Sequence, residues 1–336
     1  MILVSFIIPT LNAGKAISLC LRSIFKQTIK DYEIIIADGG STDNTLTIVN
    51  KYQAKIVSNP LKTAEAGKAV ALRHARGKYL ALIDSDNILP TKNWLHKMLL
   101  PFQDKSIICS EPVRFTYRRS AGFIERYSAL LGANDPYAWF VGVYDRYSYL
   151  SNNWTGLKLN QIDKQKYIKI KLIPGQPIPT IGANGTIFCA DFLKKNFSGD
   201  YLFDIDIISS LSQPVYIAKV KIGIIHTYCE SSIFKFACKQ HRRLNDMYSF
   251  QKIRRYNWRQ KIDFLSLVKS NFRFALYSLF FVPALIGSIK GYLKKPDSAW
   301  FFHPVACFLS FIIYTKVSVL YFLGYHHPLS RHSWSQ

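Results

Sequence analysis

The first hundred residues alternate short apolar runs with segments of helical periodicity, and this alternation constrains the fold more than any other feature. The apolar runs, each bounded by polar or turn residues, cover positions 3–8, 33–37, 55–58 and 79–83. The segments with helical periodicity lie between them, at positions 15–27, 43–53 and 66–76. Continuously apolar strands that are joined by helices form parallel sheets covered on both faces. We therefore predict an α/β fold with a mostly parallel sheet between two layers of helices.

In a sheet of this kind the ligand crevice lies beyond the carboxyl ends of the strands, so the residues that follow each run carry the chemistry. Asp84, Ser85 and Asp86 follow the fourth run, and two carboxylates one residue apart can converge on a hard cation such as Mg²⁺. Asp38 follows the second run, where its carboxylate can accept hydrogen bonds from a nucleobase or a ribose. Lys68 can meet a diphosphate as a point charge. The simpler alternatives are a turn for the carboxylate pair and a solvated helix position for Lys68.

The chain carries 44 Lys and Arg residues against 21 Asp and Glu residues, and its net charge of +23 requires an anionic partner. Positions 235–261 hold nine basic residues and one acidic residue, Asp246, directly before two apolar segments. Nucleic-acid binders instead interleave basic and aromatic residues on one face. We therefore assign the charge to a diphosphate and to a membrane surface, and we predict no nucleic-acid partner.

The two apolar segments cover positions 272–289 and 299–323, and each only marginally meets the requirement of about 20 predominantly apolar residues for a membrane span. If both segments cross, Lys290, Lys294 and Lys295 lie outside, against the positive-inside rule. The alternatives are a two-span hairpin, amphipathic helices in the membrane interface, and a soluble helical subdomain. We predict membrane attachment, with two spans at these positions.

Four segments match the motifs of a known enzyme family: FIIPTLNAGKAI, YEIIIADGGSTDNT, GKAVALRHARGKYLALIDSDN and FDIDII. Together they resemble glycosyltransferase family 2, whose members have the GT-A fold and invert the anomeric centre of the transferred sugar. The resemblance is strong over residues 1–100 and looser over residues 175–245. It implies the transfer of a sugar from a nucleoside-diphosphate donor, with Mg²⁺ or Mn²⁺ as the cofactor.

The resemblance implies roles for residues on the donor side. The positions that match nucleotide-contacting residues of the family are Pro9, Thr10, Asn12 and Asp38. The acidic residue that usually follows this asparagine closely is missing, and Ala13-Gly14 stands in its place. Residues 84–86 match the DxD motif of the family, which assigns Asp84 to ribose or metal and Asp86 to metal and diphosphate, with Ser85 between them.

An acidic general base lies further along the chain in this family, usually within an ED pair. Here the matching segment is Phe203-Asp204-Ile205-Asp206. We interpret Asp206 as the base that takes the proton of the acceptor hydroxyl, with Asp204 as the alternative. Asp204 can also be a strand or turn residue that pairs with a nearby lysine.

The segment 179–185 resembles the acceptor-side loop of the family, and its Gly182 and Asn184 suit close backbone approach to a sugar. The alternative is a tight turn between strands. His226 stands at the end of a predicted strand over 215–226, after a β-rich stretch at 167–190. It is a candidate metal or phosphate contact, although a lone histidine is more often structural.

A further match concerns the QxxRW element of cellulose-synthase-like members, to which Gln240 and Arg243 correspond. Arg243 is therefore a candidate diphosphate contact, and its alternative is a solvated basic residue. Leu244 stands where the element has tryptophan, which argues against processive synthesis.

These observations predict three parts. A GT-A catalytic domain covers 1–232, with a nucleotide-sugar half at 1–100 and an acceptor half at 101–232. Basic interfacial helices follow at 233–261. A membrane-associated helical tail completes the chain at 262–336.

The predicted function is the metal-dependent, inverting transfer of a hexose onto a lipid-linked glycan acceptor in glycan or N-glycan biosynthesis. Mannose from GDP-mannose is the favoured donor, because the resemblance is to membrane-bound archaeal and bacterial mannosyltransferases with a minimal cellulose-synthase-like architecture. The N-terminal run lacks a basic n-region, so we expect the catalytic domain on the cytoplasmic face of the membrane. The alternatives are a polyprenyl-phosphate sugar synthase, a processive polysaccharide synthase and, remotely, a basic nucleic-acid-binding protein.

Overall fold

The computed structural model describes residues 2–182, 184–261 and 263–325, and a mixed β-sheet forms its centre. The strands are β1 (Val4–Thr10), β2 (Tyr32–Asp38), β3 (Lys55–Ser58), β4 (Tyr79–Ile83), β5 (Asn87–Ile88), β6 (Ile107–Phe115), β7 (Asn160–Asp163), β8 (Tyr167–Leu172), β9 (Asn184–Cys189) and β10 (Val215–His226). The helices are α1 (Gly14–Phe25), α2 (Thr45–Val49), α3 (Ala64–His74), α4 (Trp94–Leu99), α5 (Phe123–Leu131), α6 (Pro136–Phe140), α7 (Ala190–Asn196), α8 (Asp204–Ser209), α9 (Ile233–Ser249), α10 (Phe264–Leu279), α11 (Val282–Lys294) and α12 (His303–Phe322).

The strand order is β3-β2-β1-β4-β9-β6-β10-β8-β7, with β5 paired to β10 outside this path. Strands β1 to β4 run parallel, as predicted, and β6 runs parallel to β10. Strand β9 is antiparallel to both β4 and β6, and β8 is antiparallel to β7 and β10. The predicted α/β class is confirmed. The second half of the sheet is mixed because β8 and β9 run opposite to their sheet neighbours β4, β6, β7 and β10.

Both faces of the sheet are buried, as the continuous apolar runs predict. On one face, Phe6 of β1 shares a core with Leu21 of α1 and Trp94 of α4. On the other face, Ile7 shares a core with Leu72 of α3. Successive side chains of a strand point to opposite faces, so a strand covered on both sides must be apolar throughout. This arrangement leaves the carboxyl ends of β1, β2 and β4 at one common edge.

The C-terminal helices share a third core with helices of the preceding part. Trp300, Phe302 and Ala306 pack with Ile124 of α5 and Phe236 of α9. The predicted boundaries at residues 232 and 261 stay predictions, and the last predicted positions, 326–336, lie outside the described residues. The basic stretch and the apolar tail are therefore packed against the sheet-containing part in this structure.

A bend lies within the predicted span at 272–289, which stays a prediction. Helices α10 and α11 meet at an angle of 81°, so no straight helix covers these positions. The cause lies at the junction, where Phe281 has a positive φ of 56° and Pro283 follows in the first turn of α11. Proline lacks the amide hydrogen that a continuing helix needs, and its ring clashes with the preceding turn.

The predicted span at 299–323 coincides with a continuous helical stretch, Ser298–Phe322, which begins as a short 3-10 turn and continues as α12. The most apolar 18 residues of this stretch have a mean hydropathy of 1.8. Among the residues described, this is the one helix long and apolar enough to cross a membrane by itself, and the bent α10–α11 pair could count as one more span.

Candidate functional site

The DxD turn, residues 84–86, directly follows β4 and receives side chains from distant parts of the chain. His226, the last residue of β10, approaches the Asp86 carboxylate with its Nε2 at 3.2 Å from Oδ2. Lys239 of α9 lies 3.6 Å from the same oxygen. The predicted site residues Asp84, Asp86 and His226 therefore meet at one strand edge, with Ser85 partly exposed between the carboxylates.

Lys68 and Asp204 form a buried ion pair beside this turn. The Lys68 Nζ lies 3.4 Å from Asp204 Oδ2, and the side chains are 7% and 3% exposed. The second oxygen of Asp204, Oδ1, is buried without a hydrogen-bond partner. Gly67 brings α3 close enough for this contact, because a Cβ there would lie 2.8 Å from the Cβ of Pro9. A buried carboxylate oxygen without a partner is rare and marks a candidate functional atom.

The pKa values of the two DxD carboxylates are shifted in opposite directions. Burial, and then the charge of Asp86, raise the pKa of Asp84 to about 6. Burial also opposes the charge on Asp86, but His226 and Lys239 outweigh it and hold the pKa of Asp86 below its usual range. Asp84 is thus a carboxylate whose negative charge lacks full compensation, whereas the charge of Asp86 is compensated.

We expect Asp84→Asn to raise the melting temperature by a few degrees at neutral pH in the presence of a chelator. The folded-state pKa of Asp84 is raised, so folding binds protons, and stability falls as the pH rises from about 4 through about 6. The gain should therefore vanish near pH 4. Asp86→Asn is the matched control and should lower the melting temperature at neutral pH. The lowered pKa of Asp86 means that its ionised carboxylate stabilises the folded state. Thermal unfolding of both variants across this pH range measures the difference, and a gain in both variants would contradict it.

Asp206, two residues after Asp204 in α8, faces a different part of the chain. Its carboxylate accepts hydrogen bonds from the amides of Arg255 at 2.8 Å and Tyr256 at 3.3 Å. The Arg254 guanidinium lies 3.7 Å from it. Asp206 therefore holds the segment after α9, while Asp204 is the one that contacts Lys68.

Asn12 connects the loops that follow β1 and β2, and Asp38 stabilises the second of these loops. Asp38 Oδ2 accepts hydrogen bonds at 2.9 Å from the amides of Gly40 and Ser41. Asn12, with a φ of 48°, accepts a hydrogen bond from the Thr42 amide at 2.8 Å. Both side chains shape the loops through backbone amides. The other two predicted nucleotide contacts are buried at the end of β1, namely Pro9 and Thr10.

Asn184 lies next to the DxD turn through Asn87, a residue that the sequence predictions did not assign. Asn87 Nδ2 donates to Asn184 Oδ1 at 3.0 Å, and Asn87 Oδ1 accepts from the Asp84 amide at 3.1 Å. The carbonyl of Gly182 accepts a hydrogen bond from Thr186. The strand-tip turn and the predicted acceptor-side loop are thereby held together.

A buried ionic cluster, formed by Glu111, Asp145, Arg146 and Lys219, supports the same loop. Arg146 donates to the carboxylates of Glu111 and Asp145, and Lys219 donates to Glu111. The side chains of Arg146 and Glu111 are each 1% exposed, and that of Lys219 is fully buried. Arg146 Nη2 also donates to the carbonyl of Asn184 at 3.1 Å. The cluster contains two positive and two negative groups, so its charge is balanced.

Gln240 and Arg243 contact each other, the segment after α5, and helix α12. Gln240 Nε2 donates to the carbonyl of Asn134 at 2.8 Å, and its Oε1 accepts from Arg243 at 2.6 Å and from the Tyr314 hydroxyl at 3.0 Å. The Asn134 side-chain amide lies 3.2 Å from Nδ1 of His226. These two residues therefore connect α12 to His226, and their predicted role toward a diphosphate or acceptor stays a prediction.

The donor atoms around the DxD turn fit a hard divalent cation that also binds phosphate oxygens. Asp84 and Asp86 supply carboxylates, and His226 supplies an imidazole nitrogen. Within the described ranges, no three His, Cys, Asp or Glu side chains form a group that could hold a metal alone. Mg²⁺ in such sites is typically held by one or two carboxylates together with substrate phosphates. The incompletely compensated charge of Asp84 is the observation that favours a cation here.

Sequence reasoning missed Lys239 as a site residue. It was counted within the basic stretch at 235–261, where nothing local distinguishes it from its neighbours. Asn87 directly follows the DxD motif in the sequence, so its position was a usable indication.

Comparison with known proteins gives a family and a fold. The model of the family "Glycosyl transferase family 2" matches residues 5–195. A UDP-Glc:alpha-D-GlcNAc-diphosphoundecaprenol beta-1,3-glucosyltransferase of Escherichia coli, WfaP, is 39% identical over 103 residues, which are 29% of this chain and 41% of that protein. Chondroitin synthase of Escherichia coli is 39% identical over 92 residues, or 26% of this chain and 13% of that protein. The matched segment spans less than half the length of either relative.

Among solved structures, the mannosyltransferase PcManGT from Pyrobaculum calidifontis, in complex with GDP-Man and Mn²⁺, is similar with a TM-score of 0.50. The likeness covers 93% of this chain and 86% of that chain, at 14% sequence identity. At this identity the likeness concerns the fold alone.

Proposed function

The chain belongs to glycosyl transferase family 2 and is a hexosyltransferase, and from this premise we propose that it moves a hexose onto a lipid-linked glycan at a membrane. The observation that carries the proposal is the convergence on the DxD turn. His226 and Lys239 contact Asp86, and the charges of the Lys68–Asp204 pair act on Asp84. Residues of four different elements therefore surround this turn. Cationic side chains next to a pair of carboxylates suit a nucleoside-diphosphate donor, whose diphosphate is negatively charged.

On the donor side, Lys68 and Lys239 supply positive charge toward the diphosphate. Asp84, Asp86 and His226 would hold Mg²⁺ or Mn²⁺. When bound, such a cation stabilises the negative charge of the departing diphosphate. Preorganised charges of this kind cost no rearrangement at the moment of reaction, which makes them effective in catalysis.

On the acceptor side, we propose Asp204 as the general base in preference to Asp206. Burial raises the pKa of Asp204, although Lys68 opposes the shift, and its Oδ1 is free of hydrogen bonds. A raised pKa brings a carboxylate closer to the operating pH, where a general base is most effective. Asp206 already accepts two backbone hydrogen bonds, which suits a structural role.

The identities of donor and acceptor rest on the similarities. The Escherichia coli glucosyltransferase WfaP is named for a diphosphoundecaprenol-linked acceptor, which supports a lipid-linked acceptor here. The Pyrobaculum mannosyltransferase was solved with GDP-Man, which supports GDP-mannose as the first donor to test, with UDP-glucose as the second. We propose that the catalytic part faces the cytoplasm, because the basic stretch suits the anionic headgroups of the cytoplasmic leaflet.

A donor and acceptor screen tests the proposal. The full chain in detergent is incubated with each nucleotide sugar and with Mg²⁺ or Mn²⁺, and the released nucleoside diphosphate is measured. Acceptors are a sugar diphosphate lipid, a bare polyprenyl phosphate and a soluble oligosaccharide. Release that depends on the sugar diphosphate lipid supports the proposal, whereas preference for the bare phosphate indicates a polyprenyl-phosphate sugar synthase. Extension of the soluble oligosaccharide by many residues would indicate a processive synthase.

We expect Asp86→Ala to lower transfer at least about a hundredfold, because one group that positions charge at the diphosphate is lost. The affinity for Mn²⁺ in the presence of nucleoside diphosphate should fall with it. Asp200→Ala is the matched control, since that carboxylate is 69% exposed and its partner Arg73 is 51% exposed. Transfer by Asp86→Ala at the wild-type rate would contradict the assignment.

A further inference from the structure

Helices α10 and α11 expose an unusual amount of apolar surface. Near their junction, Phe280 is 67% exposed and Val282 is 62% exposed. At the outer ends of the bent pair, Phe264 and Leu293 are 73% and 75% exposed. Soluble monomers rarely expose contiguous apolar patches of more than a few hundred Å². This apolar face therefore requires a partner.

The charges on the same helices indicate what the partner is. Positions 264–295 contain five basic residues and no acidic residue. Lys269, Arg273, Lys290 and Lys294 are all exposed. Apolar side chains beside exposed cations match a bilayer that has anionic headgroups above a hydrocarbon interior.

Helix α12 lies along α9 over most of its length. Phe302 contacts Phe236 with ring centres 5.3 Å apart, Tyr314 contacts Gln240 at 3.0 Å, and Tyr321 stacks on Tyr248 at 4.1 Å. Residue numbers rise together in both helices, so the two helices run parallel.

Helix α9 is unsuited to the interior of a bilayer. It carries Lys235, Lys239, Arg242, Arg243 and Asp246. If α12 crossed a membrane in this arrangement, it would draw these charges in with it, at about 2.5–3.5 kcal/mol for each cation near the centre. Lys239 is also engaged with Asp86 at the strand edge. The packing of α12 against α9 is thus incompatible with a crossing.

Helices α10 and α11 are each too short to cross. Their 16 and 13 residues correspond to roughly 24 Å and 20 Å, against a hydrocarbon core of about 30 Å. The 81° bend prevents them from adding their lengths. We infer that the chain attaches to one face of an anionic bilayer without crossing it, with the bent α10–α11 pair inserted in one leaflet and α12 held against α9.

This inference rests on the proposed function only in so far as a membrane acceptor requires an enzyme at the membrane. Attachment from one side leaves α9 in water, with Lys239 free to stay beside Asp86. The surface is separate from the DxD turn, so attachment and sugar transfer can be tested independently.

Vesicle flotation without donor or acceptor tests the attachment. The full chain should float with phosphatidylcholine vesicles that contain phosphatidylglycerol, and much less with pure phosphatidylcholine. Phe280→Ser with Val282→Ser should lower the bound fraction at least about tenfold, because two exposed apolar anchors are lost. The matched control is Phe25→Ser with Ile162→Ser, whose side chains are 61% and 58% exposed outside this surface.

The control pair should float like the wild type. Equal flotation of the α10–α11 variant and the wild type, or equal binding to neutral vesicles, would overturn the proposed anionic surface. The melting temperature and the donor reaction in detergent should be unchanged in all variants. A failure of flotation with intact sugar transfer contradicts this inference alone, and the reverse result contradicts the proposed function alone.

Cysteine labelling tests whether α12 crosses. Ser298→Cys and Tyr325→Cys mark the two ends of the helical stretch, in a background where the exposed Cys238 is replaced by serine. In sealed membrane vesicles, a membrane-impermeant maleimide should reach both positions from the same side. Protection of one of the two positions until detergent is added would show a crossing helix and overturn the inference.

Discussion

Replacing Asp204 by asparagine should lower sugar transfer by about a thousandfold or more while the chain still binds the nucleotide. The expected loss is the contribution of a general base, which is about 10²–10⁴-fold. Asp204 is the acidic residue of α8 that contacts Lys68, and its Oδ1 has no hydrogen-bond partner. Rates of nucleoside-diphosphate release, together with the affinity for the free nucleoside diphosphate, separate a catalytic loss from a loss of binding.

The matched variant is Asp206→Asn. We expect it to keep transfer within about tenfold of wild type, because the Asp206 carboxylate accepts hydrogen bonds from the amides of Arg255 and Tyr256. Its melting temperature should stay close to that of the wild type at neutral pH, because burial raises the pKa of Asp206 and offsets the two amide hydrogen bonds that favour the charged carboxylate. An inactive Asp206→Asn beside an active Asp204→Asn would reverse the assignment.

Asparagine at 204 also leaves Lys68 without its buried partner. Burial lowers the pKa of Lys68, but Asp204, Glu65 and Asp84 together outweigh this effect and hold the pKa above its usual value. The double variant Asp204→Asn with Lys68→Met removes both charges and controls for unfolding. If Asp204→Asn is inactive but has the melting temperature of the double variant, the loss of transfer does not come from unfolding.

Replacing Arg146 by alanine should be the most destabilising of the variants considered, at about 3–5 kcal/mol of the free energy of unfolding. The buried ionic cluster is balanced, and removal of one cation leaves two carboxylates with Lys219 alone. Burial already lowers the pKa of Lys219, although Glu111 opposes this, so this lysine compensates a second carboxylate poorly. Urea denaturation of the variant and the wild type measures the difference.

Arg73→Ala is the matched control for this prediction. Arg73 pairs with Asp200 at 2.9 Å, but the side chains are 51% and 69% exposed. Exposed ion pairs contribute about 0–1 kcal/mol, so the control should unfold almost like the wild type. An equal decrease in the free energy of unfolding of the two variants would show that burial of the ionic cluster adds nothing to its contribution to stability.

Arg146 also donates to the carbonyl of Asn184, and Asn184 contacts the DxD turn through Asn87. A variant that stays folded, Arg146→Lys, should therefore raise the KM for the acceptor more than it changes the affinity for the nucleotide. Lysine keeps the charge but loses the planar, forked donor geometry.

The first four strands of the sheet were predictable because each depends on a pattern of neighbouring residues in the sequence. Each apolar run is short and continuous, and each helical segment has its own periodicity, so β1 to β4 and α1 to α3 follow from neighbours in the sequence. The position of Asp84 and Asp86 at a strand tip follows from the same pattern. Lys239 and the buried ionic cluster could not be predicted in this way, because their partners lie far away along the chain.

The choice between Asp204 and Asp206 shows the limit. Both lie in α8, two residues apart, and helix geometry turns such a pair by about 200°. One therefore contacts Lys68 and the other the segment after α9, and only the packing of α8 decides which. The sequence alone determined that two acidic residues stand at this position.

The C-terminal tail shows the same division. Composition determined that positions 272–289 and 299–323 are apolar and that basic residues precede them. The bend at Phe281 and the pairing of α12 with the charged helix α9 were decided by tertiary structure. Hydropathy reports only how a segment partitions by itself, whereas its path through or along a membrane depends on the charges of the helix packed beside it.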